Sequence, residues 1–281
     1  MLTSASNPKI KLIRSLRQRK GRDATGLFVV EGIRHVGEAI AANAVVEAND
    51  AVAAAGTADA GWLEYLCYCP DLLTSDFARE IIQKQGKSGL PCYAVSAGTF
   101  ETLADKENPQ GILAVARQRH RKLDELAPDH FPWGVALVAP QDPGNIGTIL
   151  RTIDAVGASG LLLLDSSADP YHPSAVRASM GSLFWVPVVP AAFDEFVDWA
   201  KSYGYHIYGT SAQGSQPASQ VPRYDHPAIL LMGSEREGLT DAQRLVCEML
   251  IRLPMNGRVT SLNLAVATGV MLYAMLNKGK K

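Results

Sequence analysis

The sequence predicts an α/β protein of two domains, a smaller amino-terminal domain and a carboxyl-terminal domain built on a parallel sheet. The chain has 281 residues, more than a single domain usually contains. It is 47% hydrophobic and 20% charged, which is typical of an ordered protein. Strand-like and helical patterns alternate along most of its length, as they do where helices cover a sheet.

The amino-terminal half predicts mixed elements. In residues 8–19 apolar side chains recur every three positions among basic ones, which predicts a short amphipathic helix. LFVVEG predicts a strand and residues 34–42 a helix, whereas the Ala-rich stretch 44–61 shows no period and predicts a loop insertion. LEYLCYCP, PCYAVS and GILAVARQ predict strands, and SDFAREIIQKQG predicts a helix capped by Ser75 and ended by Gly86.

A charged stretch, residues 119–132, predicts a structureless linker between a domain at 1–118 and a domain at 133–281. The strand candidates beyond it are nearly continuous in apolar character: WGVALVAP, GLLLLD, FWVPVV, YHIYGT and AILLMG. Helical patterns lie between most of them, at 145–156, 173–182, 192–203 and 241–247. Apolar strands that alternate with helices predict a parallel sheet covered on both faces.

Several classes of protein are excluded. No apolar run approaches the roughly 20 residues that span a bilayer, and the basic amino terminus lacks the apolar stretch and cleavage site of a secretory signal. We therefore expect a cytoplasmic protein without a membrane partner. The four cysteines form no CxxC pair and have no histidine at metal-ligand spacing, so we expect buried thiols and no metal site.

The net charge of −1 conceals two basic clusters. The first contains Lys9, Lys11, Arg14, Arg17, Arg19, Lys20 and Arg22, and the second is RQRHRK at residues 117–122. Each alone could be the solvated face of a helix. Two clusters that flank one domain favour a polyanion, because clustered Lys and Arg attract phosphates. Nucleic acid is the leading partner.

The stretch QDPGNIGTILRTIDAVG predicts a helix against the sheet, with an apolar stripe that begins at Ile146. Arg151 lies on the other side. On this pattern alone, an ordinary exposed arginine and a simple N-cap at Asn145 are the better explanation. The fingerprint GxGxxG is absent, which argues against a dinucleotide-binding enzyme.

Two further segments could carry chemistry. In LLMGSEREGL, Gly233 and Gly238 surround Glu235. Glycines there allow a close approach to a ligand, although a bare strand-to-helix turn explains them equally well. Near the carboxyl end, a loop at 254–259 precedes a helix that we expect to be capped near Thr260, with Ser261 and Asn263 in its first turn.

The last helix is apolar on two faces. One face contains Leu262, Val266, Gly269 and Tyr273, and the other contains Leu264, Ala267, Met271 and Met275. One face can cover the sheet of its own chain. The second needs another cover, and a twin subunit is the simplest one. A homodimer is expected.

Together the three segments resemble the SpoU (TrmH-like) family of ribose 2′-O-methyltransferases, in the SPOUT superfamily. The resemblance lies in NIGTILRTIDAVGA, LLMGSEREGL and IRLPMNGRVTSLNLAVATG, in that order. The amino half, with SNPKIKLIRSLRQRKGRDATGLFVVEG, is similar to the L30e-like RNA-binding domain of the rRNA-directed branch. DPYHPSAVRASMGSLFWVPV also fits that branch.

The resemblance implies a SPOUT domain in which the carboxyl end threads through a loop to make a trefoil knot, a rare exception to unthreaded connections. S-adenosyl-L-methionine would bind in the knot, held mostly by backbone groups. By position in the motifs these belong to Gly233, Leu253 and Leu262, with Thr210 as a further candidate.

The resemblance also assigns a catalytic set. Arg151 acts either as the base or as a cation that binds the nucleotide phosphate and stabilises the developing alkoxide, because arginine is a poor base. Asn145 orients Arg151 or the ribose, and Glu235 fixes the knot loop or Arg151. Ser261 and Asn263 supply hydrogen bonds to the substrate backbone.

The expected activity is transfer of a methyl group from S-adenosylmethionine to a ribose 2′-hydroxyl in structured RNA, with rRNA as the leading substrate. Two alternatives remain open: a noncatalytic RNA-binding or ribosome-assembly protein on the same scaffold, and the same chemistry on tRNA. For Arg177, in AVRASMG, an RNA contact and a structural ion pair are both open.

Overall fold

The computed structural model describes residues 1–52, 61–105 and 108–279. The chain forms two compact units. The first contains Met1–Arg119 and Tyr171–Phe184, and the second contains His120–Pro170 and Trp185–Lys281. The boundaries 1–118, 119–132 and 133–281 follow sequence patterns rather than compactness, and they stay a prediction. None of the described helices is long and apolar enough to cross a membrane.

The first unit is built on a mixed sheet. Up to residue 119 its elements are α1 (Pro8–Ser15), α2 (Arg19–Thr25), β1 (Leu27–Glu31), α3 (Ile33–Val52), β2 (Leu63–Tyr68), α4 (Asp76–Lys87), β3 (Cys92–Ala94), α5 (Ala97–Glu101) and β4 (Ile112–Arg117). The strands lie in the order β1-β4-β2-β3. Ser75 caps α4 as predicted, through an oxygen that accepts from the Ala78 amide. The apolar stripe of α1 packs into the core of this unit, which confirms the predicted amphipathic helix.

The helix after β1 is longer than the sequence pattern predicted. It covers Ile33–Val52, so the prediction of a loop from residue 44 is wrong as far as residue 52. Residues 53–60, the rest of that stretch, lie outside the described residues. Alanine is the strongest helix former, but a helix rich in alanine shows little apolar period. Hydrophobic periodicity therefore missed this part of the helix, whereas the high helix propensity of alanine would have predicted it.

The second unit is built on a parallel sheet, as predicted. From residue 133 the elements are β5 (Trp133–Val138), α6 (Pro143–Val156), β6 (Leu161–Leu164), α7 (Pro173–Ser179, in the first unit), β7 (Val188–Ala191), α8 (Phe193–Ser202), β8 (His206–Thr210), β9 (Gln216–Pro217), β10 (Ala228–Met232), α9 (Asp241–Leu245), β11 (Met249–Arg252) and α10 (Leu264–Gly279). The strand order is β7-β6-β5-β10-β8-β11-β9. Each described pair runs parallel.

Two local predictions for this half were wrong, and two short strands were missed. The strand expected in FWVPVV begins only at Val188, because a short 3-10 turn covers Ser182–Phe184 and Pro187 cannot donate to a ladder. The short strands β9 and β11 were not predicted. The linker 119–132 is not structureless, since it contains a 3-10 turn at Leu123–Glu125 and places Phe131 in the core of the second unit.

Candidate active site

The helix α6 begins at a strong local signal. The Asp142 side chain accepts a hydrogen bond from the Gly144 amide at 2.7 Å, and Pro143 occupies the first turn. The cap is therefore Asp142, and the simple reading of Asn145 as the N-cap is wrong. Asn145 lies in the first turn and is only 8% exposed. The side-chain amide of Asn145 does not cap α6 and therefore needs hydrogen-bond partners elsewhere, because a buried polar group without hydrogen bonds is costly.

The loop after β10 is closed tightly on itself. The Ser234 amide donates to the Gly238 carbonyl at 3.2 Å, and the Gly238 amide donates back at 3.0 Å. A Cβ at Gly233 would lie 2.1 Å from the Gly238 carbonyl carbon, so no side chain fits there. Gly238 has φ +69°, which favours glycine. This loop exposes Glu235 at its tip.

Side chains from all three sequence segments meet in one chain of hydrogen bonds. The Asn145 Nδ2 donates to Glu235 Oε1 at 3.4 Å, and the Gln141 amide donates to the same carboxylate at 3.2 and 3.3 Å. Asn263 Nδ2 donates to Asn145 Oδ1 at 3.0 Å. Asn263 Oδ1 in turn accepts from the amides of Ala265 and Val266, at 2.9 and 3.3 Å.

Both ends of this chain of hydrogen bonds fix its direction. The Glu235 carboxylate can only accept, so Asn145 must present its NH₂ group to it. The backbone amides of α10 can only donate, so Asn263 must present its oxygen to them and its NH₂ group to Asn145. Asn263 is thereby the cap of α10, and the prediction of a cap near Thr260 is wrong. Ser261 precedes the helix instead of lying in its first turn.

The structure does not bring the remaining catalytic candidates into this chain of hydrogen bonds. Arg151 lies six residues beyond Asn145, about 9 Å along the axis of α6. Its side chain is exposed and has no hydrogen-bond or ion-pair partner among the described residues. Ser261 is also exposed, on the loop before α10, and it too has no side-chain hydrogen bond within the described part of the chain.

The candidate cofactor residues converge on one edge of the sheet. Gly233 follows β10, Leu253 follows β11, and Thr210 ends β8 between them. Because these neighbouring strands are parallel, their carboxyl ends meet at the edge where open α/β sheets bind ligands. Thr210 Oγ1 lies 3.4 Å from Met232 Sδ. Leu262, 38% exposed, directly precedes Asn263.

Several basic residues that suggested a polyanion partner have structural partners. Arg22 is 1% exposed, and its Nη1 donates to the carbonyls of Leu16 and Arg17, at 2.8 and 3.0 Å. Arg117 pairs with Glu64 at 2.7 Å. Arg177 pairs with Asp105 in the first unit, which supports the structural reading of that residue. Lys11 and Lys20 remain exposed.

Burial keeps two of the four thiols protonated. Cys67 and Cys69 are buried as expected, whereas Cys92 and Cys247 are half-buried. Burial raises the pKa of Cys67 to about 12 and that of Cys247 to about 11, so both thiols keep their protons at neutral pH. Across the described residues, no group of His, Cys, Asp and Glu is arranged to hold a metal ion.

Two sets of hydrogen bonds in this unit were not predicted. The Gln141 amide binds Glu235 through the backbone, which leaves no sequence signal. The side chains of Arg252 and Lys278 bind backbone carbonyls of the loop after β8. In the sequence, Arg252 is only a cation at the end of a strand and Lys278 only a cation in the last turn of a helix, so neither pattern points to these contacts.

Known proteins match both halves of the chain. Residues 132–273 match the family model of the SpoU rRNA Methylase family, and residues 7–114 match the MRM3-like substrate binding domain. A Bacillus subtilis protein, 23S rRNA (guanosine(2553)-2′-O)-methyltransferase RlmP, is 31% identical over 97% of this chain and 97% of its own. A Streptomyces viridochromogenes 23S rRNA (uridine(2479)-2′-O)-methyltransferase is 31% identical over 92% of this chain and 85% of its own.

Solved structures agree with these matches. The AdoMet-bound rRNA methyltransferase from Sinorhizobium meliloti superposes with a TM-score of 0.82 at 34% identity, covering 97% of this chain and 95% of its own. The SpoU methyltransferase AviRb from Streptomyces viridochromogenes, in complex with AdoMet, gives 0.79 at 28% identity, covering 96% of this chain and 98% of its own. With the three motif segments joined in one site, these matches show that the chain belongs to the SpoU rRNA Methylase family.

Proposed function

We propose that this chain transfers a methyl group from S-adenosylmethionine to a ribose 2′-hydroxyl of rRNA. The observation that carries the proposal is the chain of hydrogen bonds from Glu235 through Asn145 to Asn263, which joins the three motif segments beside the carboxyl ends of β10, β8 and β11. Relatives of similar length act on 23S rRNA at the ribose 2′-oxygen, as their names state.

The residues at this edge fit S-adenosylmethionine. Gly233 and the segment after β11 offer backbone groups, and the half-buried Leu253 and partly exposed Leu262 offer apolar surface next to them. Thr210 and Gly233 would bind from neighbouring strands, with Leu253 and Leu262 on the segment that follows β11. When bound, S-adenosylmethionine supplies a methyl group activated by the sulfonium. Holding the reactants in line contributes much of the rate.

Arg151 then acts on the RNA. A guanidinium keeps its proton in water, and Arg151 is exposed, so the cationic role has the stronger support. Arg151 binds the phosphate of the target nucleotide and stabilises the alkoxide that develops as the 2′-hydroxyl passes its proton to solvent water. Acting as the base would require a site that favours the neutral guanidine. Ser261 and Asn263 orient the substrate, and Asn145 and Glu235 hold Asn263 in place.

We propose that the carboxyl end forms the trefoil knot. In the sheet, β8 and β10 lie between β11 and β5. Residues 253–263 begin at the end of β11 and finish at Asn263, which contacts Asn145 on the helix that follows β5. The segment must therefore cross the carboxyl ends of β8 and β10. Residues 253–263 therefore pass the loops that follow β8 and β10.

A homodimer is proposed from the free face of α10. Leu264, Met271 and Met275 are buried, whereas Val266, Val270 and Tyr273 on the opposite side are 52%, 47% and 50% exposed. A stripe of this kind is unusual on a monomer and suits a self-complementary interface. Analytical ultracentrifugation tests it: the wild type is expected to sediment as a dimer. A wild type that sediments as a monomer at every protein concentration tested would remove the proposal.

The first experiment is a test of the reaction. Purified protein, tritiated S-adenosylmethionine and rRNA from a strain that lacks the gene are expected to give labelled rRNA, with the label on a ribose 2′-oxygen. Calorimetry with S-adenosylmethionine separates the alternatives. RNA binding without cofactor binding would support the noncatalytic protein, and label on tRNA alone would show the wrong substrate class. In the cell we expect the protein to work in the cytoplasm, which fractionation would check.

A further inference from the structure

The loop at residues 211–221 follows Thr210, one of the candidate cofactor residues. It lies against β11: the Ser211 amide donates to the Ile251 carbonyl at 2.9 Å, and β9 within the loop pairs with the end of β11. A Cβ at Gly214 would lie 2.7 Å from the Ile251 carbonyl carbon, so the backbones touch without a side chain between them.

Five carbonyl oxygens of this loop accept hydrogen bonds from two cations. Arg252 Nη1 donates to the carbonyls of Gly214 and Ser215, at 2.9 and 3.2 Å. Lys278 Nζ donates to the carbonyls of Ala218, Ser219 and Val221, at 3.3, 2.7 and 2.5 Å. An ammonium has three donors, so these three carbonyls match its full capacity. They belong to a 3-10 turn at Ala218–Gln220 and the residue after it, where a short helical turn ends without backbone donors for its last carbonyls.

The two cations lie on either side of the proposed knot segment, residues 253–263, along the chain. Arg252 immediately precedes Leu253, and Lys278 lies in the last turn of α10, whose first turn is capped by Asn263. The 211–221 loop is thus held at one end by the residue before this segment and at the other by the helix after it. Hydrogen bonds from charged donors are about twice as strong as neutral ones, so the two cations are strong restraints on the loop.

We propose that Arg252 and Lys278 are positioning residues for the cofactor. This inference rests on the proposed function. The two cations hold the 211–221 loop against β11, beside the ends of β8 and β11, where Thr210 pairs with Ile251 and Leu253 follows. Neither side chain touches the reacting atoms. Their removal widens or loosens the site, so it weakens cofactor binding and leaves the chemical step unchanged.

The test uses Lys278→Met, which keeps most of the apolar stem and removes the donors, and Lys278→Arg, which restores them. Lys201→Met, at an exposed lysine on α8, is the matched control. Calorimetry with S-adenosylhomocysteine is expected to show a Kd about tenfold higher for Lys278→Met, equivalent to about 1.4 kcal/mol at 25 °C. Lys278→Arg and Lys201→Met are expected to bind within about twofold of the wild type. The KM for S-adenosylmethionine is expected to rise while kcat at saturation stays unchanged.

Hydrogen exchange gives a readout that needs no cofactor. Amides of the 211–221 loop are expected to exchange about tenfold faster in Lys278→Met, with unchanged exchange in β5 and β10. Equal exchange and equal Kd in the two proteins would overturn the inference. Faster exchange with an unchanged Kd would also overturn it, because the cations would then be structural only.

Failure of the proposed function is distinguishable, since the wild type would then bind no S-adenosylhomocysteine at all. If Lys278→Met does not fold, Arg252→Met is tested instead, by calorimetry with S-adenosylhomocysteine and by hydrogen exchange. It is expected to raise the Kd and the exchange rate in the same direction, and wild-type values would sink the inference.

Discussion

Changing Asn263 to aspartate tests whether the hydrogen bonds from Glu235 to Asn263 have a fixed direction. Aspartate keeps an oxygen for the amides of Ala265 and Val266, so the cap of α10 survives. Its other oxygen faces Asn145 Oδ1, where the native residue has a donor. Asn145 cannot turn its amide over to compensate, because its Oδ1 would then face the Glu235 carboxylate, which can only accept.

The expected cost follows from burial. Asn145 is 8% exposed, and an unsatisfied buried polar group costs about 1–3 kcal/mol, so we expect Asn263→Asp to lose about 2 kcal/mol of unfolding free energy. Asn263→Ala also loses the cap, worth about 1 kcal/mol, and should lose about 3 kcal/mol. Thr240→Ala, which removes only the cap of α9 in the same unit, is the matched control and should lose about 1 kcal/mol.

A second substitution should restore the lost stability. In Glu235→Gln combined with Asn263→Asp, residue 235 can donate and residue 263 can accept, so Asn145 can turn over and the hydrogen bonds can run in the opposite direction. Urea unfolding, followed by tryptophan fluorescence, measures all four members of the cycle. The double variant should be more stable than the sum of the single losses predicts, by about 1 kcal/mol or more. Additive losses, or an Asn263→Asp protein as stable as the wild type, would refute the fixed direction.

Three further predictions concern the site and the interior. Gly233→Ala should lower the affinity for S-adenosylmethionine at least about tenfold, because the new Cβ would meet the backbone of Gly238. Gly157→Ala is the control: at φ +69° with open space around it, it should lose about 1 kcal/mol of unfolding free energy and leave the affinity measured by calorimetry unchanged. Arg151→Lys should reduce kcat by about 10–100-fold with an unchanged cofactor Kd, because an ammonium lacks the planar fork; near-normal turnover in a methyl-transfer assay would show that charge alone suffices. The raised pKa of Cys247 means that unfolding releases its proton above pH 9, so stability should fall between about pH 9 and 11 by up to about 1.4 kcal/mol per pH unit. Cys247→Ala should flatten that part of a urea-unfolding series, and an unchanged slope would contradict the assignment.

Much of the second unit could be predicted because its strands and helices obey local rules. The apolar stripe of α6 and the continuous apolar strands need no tertiary information, and all are in place. Gly233 and Asn263 were identified through motif resemblance, and the structure adds the contacts that they make. Which residue caps α10 could not be predicted, because Thr260, Ser261 and Asn263 are all good caps. Asn263 is the cap because its side-chain oxygen binds α10 while its Nδ2 donates to Asn145, a residue 118 positions away.

The remaining errors have the same origin. β11 was not predicted, because Met249–Arg252 becomes a strand only through its pairing with β8 and β9. The linker was judged by its charge, yet Phe131 packs against Trp199 in the core of the second unit. The role of Lys278 depends entirely on carbonyls about 60 residues earlier in the chain. Local patterns predict elements, whereas these features are decided by contacts between them.

The most direct test maps 2′-O-methyl groups in total RNA from cells with and without this gene. The account predicts that one ribose methylation in rRNA disappears on deletion, returns with the wild-type gene, and does not return with Arg151→Ala expressed at the same level. Identical maps with and without the gene, or full restoration by Arg151→Ala, would contradict it.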